Sequence, residues 1–208
     1  VLALIANPSN LSETYGLPPL DVRLEKYLMA TSLASPDPSA LRLDFMRPPI
    51  SLARLGQALQ NGYHLLHIVA HSRINARDRQ TELLLEDKHG LVRPVSSLVF
   101  SRHLAHHAAH PHLVFLAACH SGPDRKRPSL LTMGRALVRA GVPAVVAMQG
   151  AVHIKTAQAL TSGFYTNLAR HGVVDRALNQ ARNDVISAQL PDAEKPVLFM
   201  RLPSGRLW

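Results

Sequence analysis

The stretch His64-Leu65-Leu66-His67-Ile68-Val69-Ala70-His71-Ser72 decides how this chain is read. It follows the turn signal Asn61-Gly62, and from His64 to Ala70 it is apolar apart from its histidines. An unbroken run of this kind reads as a strand buried on both faces. His71 then stands at its carboxyl end. The same pattern recurs on either side. Val1 to Ala6 is apolar until Asn7-Pro8-Ser9, Leu113 to Ala118 is apolar until Cys119, and Ala144 to Met148 is a further core strand. Shorter strands are expected at Leu41–Phe45 and Val197–Leu202, with Ser204-Gly205 a turn beyond the second. Glu82–Glu86 and Leu91–Arg93 flank Asp87-Lys88-His89-Gly90, the pattern of a hairpin.

Helical spacing fills the intervals. Leu20 to Leu33 carries apolar residues at Leu20, Leu24, Tyr27 and Leu28. Ser51 caps a helix through Leu52, Leu55, Ala58 and Leu59, and Ser96 caps one through Leu104 to Ala109. Further helices are expected at Ser129–Ala140, closed by Gly141, at Lys155–Ala169 and at Val173–Ala188. Strands alternating with helices predict an α/β layered fold with a mostly parallel sheet. Ligands in such sheets bind beyond the carboxyl ends of the strands. Two of those ends carry His71 and the chain's one cysteine, Cys119.

Composition narrows the function classes. The chain has 208 residues, 47% of them apolar and 18% charged, which excludes a disordered or collagen-like polymer. No linker, repeat or low-complexity tract divides it, so residues 1–208 are expected to form a single domain. No apolar run reaches the roughly 18 residues of a membrane span, and no signal peptide opens the chain. One cysteine rules out an internal disulfide and a Cys-rich zinc site, and fits a reducing cytoplasm. The net charge is +9, but Arg73, Arg77 and Arg79, then Arg125, Lys126 and Arg127, then Arg135 and Arg139 are scattered. Aromatic residues make up 5%, too few for base-stacking platforms. Nucleic acid is therefore disfavoured as a partner, and no glycine-rich phosphate loop is present. The start at Val1 and the apolar end from Val197 to Trp208 suggest a domain cut from a longer protein.

A thiolate nucleophile needs a base to form it and an acid to protonate the leaving amine, and one histidine near neutral pH serves both. Caspases place their histidine about 50 residues before the cysteine, close to the separation of His71 and Cys119. The other reading is a buried structural cysteine. Placement of both residues at strand ends favours catalysis.

Here the chain resembles the CHAT domains, caspase-like cysteine peptidases related to separase. The marks are Ala6-Asn7-Pro8-Ser9, Gly62-Tyr63-His64-Leu65-Leu66-His67, Ala70-His71, Leu116-Ala117-Ala118-Cys119 and the segment Ala140 to Ala147. Phe164-Tyr165, Val174 to Leu178 and Pro196 to Arg201 follow in order. The resemblance implies a caspase-like three-layer sandwich, a mostly parallel sheet of about six strands flanked by helices. It implies peptide-bond hydrolysis without a cofactor or metal, through a thioester on Cys119, with His71 as general acid/base. The oxyanion would rest on the backbone N–H groups of Ser72 and Cys119. Such domains sit in larger proteins beside sensor, repeat or ATPase modules, so the expected setting is a regulated bacterial signalling or defence protein acting on a protein or peptide. The alternatives are a catalytically silent interaction module and, further off, a basic nucleic-acid-binding module.

Two positions depart from the family. It reads Gly-His-Gly where this chain has Ala70-His71-Ser72, and glycine there lets the backbone turn its N–H without strain. Many relatives carry an acid where Ile154 stands, so a pocket for an apolar or small side chain is expected, or for an acidic one if Arg125 or Arg127 lines it, with His120 and Asp124 of the loop after Cys119 at its border. A solvated loop is the plain alternative for those two. His103, His106, His107 and His110 share one face of an expected helix and read as a solvated face in the absence of an accompanying acid. His67 reads as a hydrogen-bonded core histidine.

Overall fold

The computed structural model describes residues 1–33, 41–107, 110–118, 130–150 and 152–208. Six strands form the main sheet: β1 (Leu2–Ile5), β2 (Asp44–Phe45), β3 (Leu65–Ala70), β7 (Leu113–Ala118), β8 (Ala144–Met148) and β9 (Pro196–Met200). Their order is β2-β1-β3-β7-β8-β9, parallel throughout except that β9 runs antiparallel to β8. β1, β3 and β8 are buried at every position, which is why their sequences read as continuous apolar runs. β9 is an edge strand and opens on Pro196, a position where the missing N–H costs no ladder bond. A second, antiparallel sheet has the order β4-β5-β6, from β4 (Ser72–Ile74), β5 (Thr81–Glu86) and β6 (Val92–Ser96).

Helices cover both faces of the main sheet. One layer holds α2 (Val22–Leu33), α6 (Ile154–His171) and α7 (Val174–Ser187), whose Met29, Leu160, Phe164 and Leu178 pack on Leu65, Val69, Phe115 and Val146. The other holds α3 (Leu52–Leu59), α4 (Ser97–Ala105) and α5 (Leu131–Arg139). Their Leu55, Phe100 and Met133 pack on Leu66, Ile68 and Val145, and the small sheet adds Leu83 and Val95. Alternate residues of each strand thus feed opposite cores, as a period of two requires. The three-layer α/β arrangement matches the expectation.

The caps follow the sequence. The Ser51 hydroxyl accepts from the Arg54 N–H at 3.4 Å and that of Ser96 from the Val99 N–H at 3.3 Å. Three expectations are corrected. Helix α4 stops at Ala105, not Ala109, with His106 as its cap. Only Asp44 and Phe45 of the Leu41–Phe45 segment join the sheet. Two short elements, α1 (Leu11–Tyr15) and β4, carry too few residues for a periodic signal. Among the described residues no helix is long and apolar enough to cross a membrane.

Candidate active site

Strands β3 and β7 pair in register to their last residues, Ala70 opposite Ala118. The chain therefore leaves these neighbours at one level of the sheet edge, His71 following the first and, in sequence, Cys119 following the second. Adjacent strands lie about 4.8 Å apart. Cys119, His120 and Asp124 lie outside the described residues. His71 is 3% exposed, and its Nε2 stands 3.0 Å from the Pro18 carbonyl oxygen. A carbonyl only accepts, so Nε2 carries the hydrogen and donates. Nδ1 is then the acceptor nitrogen of the neutral ring.

A chain of hydrogen bonds anchors the segment that carries Pro18. The Leu20 N–H donates to Asn7 Oδ1 at 2.8 Å, which ties the segment after α1 to the end of β1. The Asn7 N–H donates to Glu86 Oε1 at 2.9 Å, and the Ile50 N–H to Glu86 Oε2 at 2.7 Å. Glu86 is buried, so two charge-assisted bonds to backbone donors offset its desolvation. In the sequence Asn7 reads as the stop after a strand and as part of the Ala6-Asn7-Pro8-Ser9 family mark. A polar amide directly behind a buried strand was the available signal for this role.

Ser72 opens β4 opposite Leu83. The Leu84 N–H donates to the His71 carbonyl at 2.9 Å, which makes 71/84 a hydrogen-bonded pair and 72/83 a non-hydrogen-bonded one. Because β4 is an edge strand, the Ser72 N–H is directed away from the small sheet. Among the described residues the non-glycine positions with positive φ are Arg79, Gln189 and Asp192, so Ser72 needs no left-handed backbone. Arg73 fastens β4: its Nε donates to Glu82 Oε2 at 2.7 Å, and its guanidinium lies 4.9 Å from the Tyr15 ring centre.

Ile154 begins α6 at 41% exposure and lines a cavity of about 50 Å³ with Val69, Ala117 and residues of α2. Val69 and Ala117 stand two residues before His71 and Cys119 on their strands, so the cavity abuts the strand exits. The lining also contains Glu25 of α2. A larger cavity of about 840 Å³ opens between Val1, Asp44, Tyr63, His64 and Trp208. It lies at the amino ends of the strands, away from His71, so its size does not make it the site.

His67 is the core histidine expected. Its Nδ1 is 3.0 Å from the Tyr165 hydroxyl and its ring stacks on Phe115 with centroids 4.8 Å apart. Burial lowers its pKa from 6.5 to about 3. Between those values the unfolded chain holds one proton more than the folded chain, so stability falls as pH falls, by about 1.4 kcal/mol per unit. Urea unfolding between pH 6 and 4 is expected to show this slope in the wild type and to lose that one-proton part in His67→Gln. Equal slopes would contradict it.

The histidine face is corrected. Since α4 ends at Ala105, His110 is not on the helix with His103. The rings of His103 and His107 meet at 5.0 Å and pack over Gly56 of α3, where a Cβ would stand 3.0 Å from His107 Nε2. The pair is half-buried at a helix contact that glycine makes possible, not a solvated face. Burial, then the neighbouring His107, lowers the His103 pKa. Among the described residues no three His, Cys, Asp or Glu side chains gather as metal ligands would.

A six-stranded, mostly parallel sheet between two helical layers, with a buried histidine at the carboxyl exit of a central strand, defines a caspase-like α/β class. The CHAT domain family model matches residues 3–199, and the chain belongs to that family. No protein of curated function matches it.

Proposed function

We propose that this domain is a cysteine endopeptidase in which Cys119 is the nucleophile and His71 the general acid/base. The observation that carries the reading is the in-register end of β3 and β7, with His71 fixed by the Pro18 carbonyl. His71 Nδ1 takes the thiol proton, and the thiolate attacks the substrate carbonyl carbon. The tetrahedral oxyanion is held by the N–H of Ser72, which its edge-strand pairing directs away from the small sheet, and by that of Cys119. Removing one such donor typically costs about 10²–10³ in rate. The C–N bond then breaks as His71 returns the proton to the departing amine. Water adds to the thioester with its proton passing to His71, the C–S bond breaks, and the thiol is restored. No step needs a cofactor. The expected setting remains a cytoplasmic bacterial protein whose other modules regulate cleavage of a protein substrate.

Alkylation of the native chain with iodoacetamide at pH 7, read by mass spectrometry, tests the nucleophile. Modification of Cys119 without denaturant is expected. Modification that requires denaturant would instead identify a buried structural cysteine.

A further inference from the structure

We infer that Arg73 is a positioning residue of the candidate site: it ties the turn that carries Pro18 to the strand that carries Ser72, and so fixes the His71 ring and the Ser72 N–H in one frame. This rests on the peptidase reading and goes beyond it, since it assigns a role to a side chain outside the pair of Cys119 and His71.

On the strand side, Arg73 stands directly opposite Glu82 in the small sheet, and its Nε donates to Glu82 Oε2 at 2.7 Å. The Glu82 side chain is 10% exposed, and Asn75 Nδ2 donates to its other oxygen at 2.9 Å. A short charge-assisted bond to a carboxylate buried this far holds better than an ion pair in open solvent. It sets the plane of the Arg73 fork, one residue after Ser72 and two after His71.

On the turn side, the guanidinium carbon lies 4.9 Å from the centre of the Tyr15 ring, within cation–π range. Tyr15 ends α1, and the chain from there to Pro18 is a closed turn. Gly16 takes a φ of +61°, its N–H donates to the Ser12 carbonyl at 2.9 Å, and the Ser12 hydroxyl donates to the Leu17 carbonyl at 3.0 Å. Glycine adopts that φ without strain. A shift of Tyr15 therefore travels to the Pro18 carbonyl, which accepts the Nε2 hydrogen of His71 at 3.0 Å. Asn7 holds the far side of the same segment through the Leu20 N–H. The contacts close a ring: His71 to Pro18, along the turn to Tyr15, across to Arg73, and back along β4 through Ser72 to His71. A misplacement of about 1 Å in a catalytic group costs up to about 10²-fold in rate, so the fit of this ring is felt at the chemistry.

Two measurements test this on Arg73→Met, Arg73→Lys, Tyr15→Leu and Tyr15→Phe. The first needs no cleavage: proton NMR of the imidazole N–H region, with the His71 signal assigned by its absence in His71→Gln. The wild type and Tyr15→Phe are expected to show a slowly exchanging His71 Nε2–H, and Arg73→Met and Tyr15→Leu to lose it to exchange with water. The second is kcat and KM for the fluorogenic tetrapeptide that the wild type cleaves fastest. Arg73→Met and Tyr15→Leu are each expected to lower kcat about 10- to 100-fold with KM nearly unchanged, and the double variant to lower it no further. Arg73→Lys, which keeps the charge without the plane, should fall between wild type and Arg73→Met, and Tyr15→Phe should keep the wild-type kcat. Tyr15 is half-buried and outside both sheets, so Tyr15→Leu decides the matter if Arg73→Met does not fold. A side chain that serves stability alone would shift thermal unfolding and leave the His71 proton and kcat as in the wild type. That result, or a wild type without the protected proton, overturns the inference and leaves the peptidase reading standing. Loss of the proton in both variants of a chain that cleaves no tetrapeptide supports the positioning of His71 and overturns the peptidase reading.

Discussion

Cys119→Ala and His71→Ala are each expected to lower kcat/KM for peptide cleavage by about 10⁴-fold or more, and the double variant by no more than either alone. Groups that act as a unit show this non-additivity: once the nucleophile is gone, the base has nothing to deprotonate. The activity that survives comes from substrate binding and oxyanion donors. His71 is buried and held at 3.0 Å by the Pro18 carbonyl, so far-ultraviolet circular dichroism must show that the variant still folds. His71→Gln, closer in volume, is expected to lose the same activity with less change in stability. Losses of tenfold or less, or losses that multiply in the double variant, would contradict a paired thiol and imidazole.

Phe115→Ala is expected to cost about 3–5 kcal/mol of folding stability. Phe115 is fully buried in β7, one of the two central strands. Its ring stacks on His67 and lies 5.4 Å from Phe164 and 6.0 Å from Tyr165, centre to centre. Truncation leaves a cavity among rings that cannot close over it, and it uncovers one face of the buried imidazole. The His67 pKa should then rise from about 3 toward 6.5. Urea unfolding gives the stability change and NMR titration the histidine pKa. A loss below about 1 kcal/mol would mean that the core relaxes around the vacancy.

The layered fold was legible because its strands are buried on both faces and so write themselves as apolar runs. Leu113–Ala118 and Ala144–Met148 have the same bounds in sequence and structure. Elements built on tertiary pairing were not legible. β4 is the polar triplet Ser72-Arg73-Ile74, a strand because Leu83 pairs with it and Glu82 receives Arg73. The reach of α4 toward Ala109 was overread because four histidines at helical spacing imitate a continuing face. Of the candidate site, His71 was marked by its place at a strand exit. Its support by Pro18, Asn7 and Glu86 comes from three separate segments, and local spacing does not encode that convergence.

The pH–rate profile of Cys119 alkylation, compared between the wild type and His71→Ala, tests the central claim most directly. A thiol paired with an imidazole ionises below the free value of about 8.5, so the wild-type rate should reach its plateau near neutral pH. In His71→Ala the midpoint should return to about 8.5 or above, with slow labelling at pH 7. Superimposable profiles in the two proteins would contradict the pairing of His71 with Cys119.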